Sequence, residues 1–75
     1  MKVKMLPAAR AELHRAAIWF DRRGRDLGNR LLDDIQASIV SVREFPSAFP
    51  PMDAVYRKKL LEVFPYALIY RIEID

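Results

Sequence analysis

The chain has no cysteine and a single histidine, His14, among its 75 residues. Without thiols there are no disulfides, no thiolate zinc site and no cysteine nucleophile. One imidazole is too few for a histidine-rich metal site. The neighbouring carboxylates Asp33 and Asp34 point apart on a helix, so no metal is expected. The same histidine would have to serve Ser38, Ser41 and Ser47, none of which stands in a G-x-S-x-G setting, so a serine-hydrolase triad is not expected either. Glycine is equally scarce. Gly24 and Gly28 are isolated and form no phosphate cradle, and they read as helix-junction residues. Five prolines and two glycines are too few for a low-complexity chain. No apolar run reaches the roughly 18 residues of a membrane span. Met1 to Pro7 leads straight into charged sequence, so there is no signal-peptide core and the expected location is the cytoplasm. No cofactor is implied.

What is present suits one small folded domain over residues 1–75. Hydrophobic residues make up 52% of the chain and charged residues 31%, enough apolar surface for a modest core. The net charge of +3 permits an anionic partner without demanding one.

The periodicity changes four times along the chain. Val3 to Leu6 is a short apolar run flanked by lysines and closed by Pro7, and reads as a strand. From Ala8 the apolar residues Ala9, Leu13, Ala16, Ala17 and Phe20 fall at helical spacing, with Pro7 in the first turn and Gly24 as a left-handed cap. Asp26 or Asn29 caps a second helix whose apolar face is Leu31, Leu32, Ile35, Ile39 and Val42. It ends at Phe45-Pro46, because a residue preceding proline is pushed out of the helical region. Residues 46–53 hold Pro46, Pro50 and Pro51 and form a loop. Ala54 to Val63 and Tyr66 to Ile74 read as two strands joined at Phe64-Pro65, the second alternating well. The order β-α-α-β-β predicts an α+β fold, a helical hairpin on one face of a small, largely antiparallel sheet. With the last strand placed at the edge, it offers a site for homodimerisation.

Several clusters carry chemistry. Alternation along a strand places Arg57 and Lys59 on one sheet face and Lys58 on the other, with Arg71 on the neighbouring strand. The simplest reading is a solvated outer face; a partner-binding surface is the next. Were Phe64-Pro65 a two-residue turn, Lys58 would face Arg71, and the like charges would favour an acidic partner. RNA cleavage without histidine needs cations for the phosphorane and a tyrosine or lysine for proton transfer. Lys58, Arg71, Tyr56 and Tyr70 are the residues of the right kind. Arg22, Arg23, Arg25 and Arg30 surround the helix junction, where they complement the helix dipole or dock an acidic partner. Phe20 fits the core stripe and leaves Trp19 at its margin, packed on the inter-helix turn or serving as an interface anchor. Tyr66 and Tyr70 are expected over the helix–sheet seam with their hydroxyls in water.

Three stretches carry a family resemblance: Leu13-His14-Arg15-Ala16-Ala17-Ile18-Trp19-Phe20, then Leu27-Gly28-Asn29-Arg30-Leu31-Leu32, and, after Phe45-Pro46, Phe64-Pro65-Tyr66-Ala67-Leu68-Ile69-Tyr70-Arg71-Ile72. In order and spacing these resemble the ParE/RelE superfamily of toxins from type II toxin–antitoxin (plasmid stabilisation) modules. The resemblance implies a toxin neutralised by a cognate antitoxin. RelE-like members cleave mRNA on the ribosome, whereas ParE-like members poison DNA gyrase and have no known hydrolytic site. The RelE pattern has an arginine after the tyrosine of Phe-Pro-Tyr, where this chain has Ala67. It also has two basic residues in the preceding strand, where this chain has Lys58 and Leu60. The ParE-like reading therefore leads, with Trp19, Arg57, Lys58, Lys59 and Arg71 as the expected partner surface. If the chain is a ribonuclease, Lys58, Arg71 and Tyr70 are its expected catalytic residues. Family members continue with a fourth strand and a basic tail. Their expected absence here adds a third reading, a non-toxic module that binds antitoxin.

Overall fold

The computed structural model describes residues 2–74. Strand β1 (Lys2–Met5) leads into helix α1 (Pro7–Asp21). A short turn leads to helix α2 (Leu27–Glu44), and strands β2 (Tyr56–Leu60) and β3 (Ala67–Glu73) follow. This is the expected β-α-α-β-β order, an α+β fold with the helical hairpin packed on one face of an antiparallel sheet.

Proline at the start of α1 forgoes an N–H that has no helical partner there. α2 stops before Phe45-Pro46, as the proline requires. The hairpin turn differs from expectation. No glycine has a positive φ. The left-handed position is Asp26, at φ 65°, and its side chain makes no cap hydrogen bond. Aspartate tolerates this region better than most residues. Gly28 serves a different need: a Cβ there would stand 2.7 Å from the Ala17 carbonyl oxygen and 2.8 Å from Asp21 Cβ. The missing side chain lets α2 approach α1 closely.

The sheet order is β1-β3-β2. The last strand is therefore central and paired on both sides, not a free edge, which removes the expected dimerisation site along β3. The reason lies in chain path. The helical hairpin carries the chain across the sheet, so β2 starts away from β1, and β3 returns between them. The register pairs Lys4 with Arg71, Tyr56 with Arg71, Lys58 with Ile69, and Lys59 with Leu68. Phe64-Pro65 is not a two-residue turn: Leu61 N–H donates to Tyr66 O at 2.9 Å, so the loop closes one pair further out. Lys58 and Arg71 are consequently diagonal neighbours and not opposed.

The core lies between sheet and hairpin. Leu13 and Ala17 from α1, Leu31 and Val42 from α2, and Leu68 and Tyr70 from β3 are buried there with Leu61. α2 packs across all three strands, while α1 lies along α2 and reaches β3. No helix is long and apolar enough to cross a membrane, among the described residues.

Candidate functional site

The basic cluster of the second strand divides by face. Alternation puts Arg57 and Lys59 with Tyr70 and Leu68 on the helix side, and Lys58 with Tyr56 and Leu60 on the open side. Arg57 donates to Phe49 O at 2.7 Å and Ser47 O at 3.5 Å, pinning the proline-rich loop. Lys59 is 6% exposed and donates to Leu60 O and to Glu62 Oε1, with the Phe49 ring centroid 5.6 Å from its ammonium. Both therefore hold loops. Lys59 is buried, which corrects the expectation that it belongs to an accessible partner surface, whereas Arg57 is half-buried. Their β-strand phase was legible, but not which face the helices would cover.

Of the remaining cations, Lys58 is exposed and Arg71 half-buried on the open face. Arg71 donates to Glu73 Oε2 at 2.6 Å, and the other oxygen of Glu73 lies 3.7 Å from the Lys4 ammonium. Tyr56 stands directly opposite Arg71. Tyr70, proposed for proton transfer, lies on the other face and is fully buried. Its hydroxyl donates to Pro46 O at 2.6 Å. Burial pushes its phenol up, with the charge of Arg57 opposing. A buried hydroxyl across the sheet from Lys58 and Arg71 cannot share a reacting group with them, and it does not reach water as expected. Tyr66, by contrast, is half-buried at the seam.

Trp19 keeps its marginal position, 48% exposed. Its ring meets Phe20 edge-on at 4.9 Å, and the Arg23 guanidinium lies 3.6 Å from its centroid, a cation–π contact. Arg15, Glu12, Ala16 and Tyr66 complete a shallow hollow around it. Phe20 turns inward onto Phe64 and Tyr66, as expected. Among the described residues none of the arginines at the helix junction forms an ion pair.

Two features escaped sequence reading. The first is Asp34. Its carboxylate, 6% exposed on the sheet side of α2, accepts the backbone N–H of Glu62, Val63 and Phe64 at 2.9 to 3.0 Å. Burial pushes this carboxyl up. The three N–H bonds and the charge of Lys59 outweigh it, and the group ends below its ordinary value. The only sequence signal was an aspartate in phase with the apolar face, three residues after Leu31.

The second is a cleft where the helices part. Leu13, Leu32, Ile35 and Ile39 form its walls, Met5 and Leu68 its floor, and Arg10, His14 and Arg43 its rim, enclosing about 320 Å³. Leu32, expected in the apolar face of the second helix, is instead 45% exposed. A second hollow, with His14 and Leu32 common to both, continues toward Ile18 and Gly28. The walls of this cleft are the same helical stripes that sequence reading assigned to the core. Among the described residues, no three His, Cys, Asp or Glu side chains gather as metal ligands. No family model, curated protein or solved structure matches the chain.

Proposed function

We propose that this chain is a ParE-like toxin-family protein of a type II toxin–antitoxin module, held by a cognate antitoxin and acting on DNA gyrase by protein–protein contact. The observation that carries the reading is the cleft between the helices. An apolar floor ringed by Arg10, His14 and Arg43 suits an amphipathic helix with acidic flanks. The dispersal of the catalytic candidates supports contact over hydrolysis: Tyr70 is buried on the far face, and Glu73 occupies Arg71. Of the expected partner surface, Trp19 and Lys58 are exposed and Arg57 and Arg71 half-buried.

One observation favours a second reading, ribosome-dependent mRNA cleavage of the RelE kind. Lys58, Tyr56 and Arg71 share the open sheet face. Induction in bacteria without antitoxin, with pulse-labelling of DNA and protein synthesis over the first minutes, separates the two. DNA synthesis is expected to fall first. If protein synthesis falls first, and Lys58→Ala or Arg71→Ala restores it while the fold survives, the ribonuclease reading replaces ours. If neither falls, the chain is a non-toxic module that titrates antitoxin, and tight antitoxin binding without a growth defect is its signature.

A further inference from the structure

Helix α1 lines hollows on two sides. Arg10, Leu13 and His14 line the cleft, and Ala17, Ile18 and Asp21 continue it along the second hollow. Glu12, Arg15, Ala16 and Trp19 line the hollow around the tryptophan, with Tyr66 as its far wall. At 3.6 residues per turn, the two sets are centred roughly 180° apart around the helix axis. Among the described residues none lines both sides. A partner helix seated in the cleft therefore leaves the tryptophan side uncovered.

The tryptophan is exposed yet held. Arg23 donates to the Trp19 carbonyl oxygen at 3.3 Å and lays its guanidinium 3.6 Å from the ring centroid. The ring also meets Phe20, which packs on Phe64 and Tyr66 and so ties it to the core. A ring already ordered loses little freedom on binding, which suits an interface anchor. The hollow is shallow, whereas small-molecule sites bury most of their ligand, so a protein surface fits it better. Charge selects that protein. Arg15 and Arg23 have no carboxylate partner among the described residues, nor do Arg22, Arg25 and Arg30 at the nearby turn. Glu12 is the one carboxylate in the lining. The excess of cations favours an acidic segment. A second copy fits poorly, because a two-fold contact centred on Trp19 would set these arginines against their own equivalents.

We infer that the Trp19 side of α1 is the surface that engages the target protein, taking an acidic segment whose apolar anchor seats between Trp19 and Tyr66, while the cleft holds the antitoxin. This rests on the reading that the chain acts on DNA gyrase by contact, and it divides target and antitoxin between two surfaces. The test uses the full chain with purified gyrase and the candidate antitoxin. Trp19→Ala and Arg15→Glu are each expected to weaken gyrase binding and inhibition at least about tenfold, and to leave antitoxin affinity within about twofold. Arg15 is exposed and outside the core, so its variant decides the question if Trp19→Ala fails to fold. Undiminished inhibition by both variants, with the wild type active, overturns this inference alone. So does an equal loss of gyrase and antitoxin binding by Arg15→Glu, which would mean one shared surface. So does a loss seen equally with free DNA, which would make the arginines a nucleic-acid contact. A wild-type chain without effect on gyrase overturns the reading and the inference together.

Discussion

At the scale of single residues, Asp34 decides the shape of the β2–β3 loop. Three consecutive backbone N–H groups of the loop converge on one carboxylate. Charge-assisted hydrogen bonds of this kind contribute about 1.5–3 kcal/mol each when a partner is lost from a buried setting, with strong overlap among the three. Asp34→Ala is therefore expected to cost about 2–4 kcal/mol in urea unfolding, and Asp34→Asn less. Because the folded carboxyl titrates below its unfolded value of 3.8, its contribution is complete above that value. It is lost as the pH falls through the lower, folded value. Acid titration of unfolding midpoints should show wild type losing stability below about pH 4, with Asp34→Asn losing less over the same range. Equal acid sensitivity of the two proteins would refute this account.

At the scale of elements, the hairpin depends on how closely the two helices approach. Alanine is the better helix former than glycine by about 1 kcal/mol. At Gly28 that gain meets a Cβ forced against the Ala17 carbonyl and Asp21, and overpacking of this kind costs about 1–3 kcal/mol. Gly28→Ala is therefore expected to be destabilising on balance, by about 1 kcal/mol, visible as a lower thermal midpoint. A rise in the midpoint would mean that the helices can separate without loss. The elements themselves were legible. Pro7, the heptad-like stripe from Leu13 to Phe20 and the Phe45-Pro46 stop place both helices within a few residues, and the alternation after Tyr66 places β3. Neighbour relations were not legible. A strand's period reveals its two faces but not which strands flank it, so β3 passed for an edge. In the same way, Arg57 and Lys59 were correctly put on one face, yet the helix layer that buries Lys59 leaves no local signal. Asp34 was hidden for a related reason: its partners lie about thirty residues away and are backbone groups, which have no sequence identity.

At the scale of the whole molecule, extents of 41 × 21 × 19 Å and a radius of gyration of 12.7 Å exceed the roughly 11 Å of a compact chain this long. Between the two helices the apolar faces are only partly filled, which leaves the cleft over Met5 and Leu68. Leu13 and Leu68 of its lining belong to the core, but Leu32 does not, so a polar substitution at Leu32 separates binding from folding. Leu32→Asp is expected to keep the circular dichroism spectrum and to change stability by no more than about 1 kcal/mol, since the side chain is already half in water. It is expected to weaken binding of a protein partner seated in the cleft at least about tenfold, measured by calorimetry against the candidate antitoxin. Unchanged affinity would move the partner site elsewhere. The site could not be read from the sequence because its walls carry the same residue types, at the same spacing, as the buried stripe.

The strand order also sets a timetable. Among the described residues β1 pairs with β3 alone, a strand made after both helices and β2. During synthesis the two helices can pair while β1 waits, and the sheet closes only after β3 has emerged, late and through contacts of long sequence separation. Until then the first strand exposes both of its margins. The nascent sheet is thus most vulnerable at β1, and its rescue depends on β3.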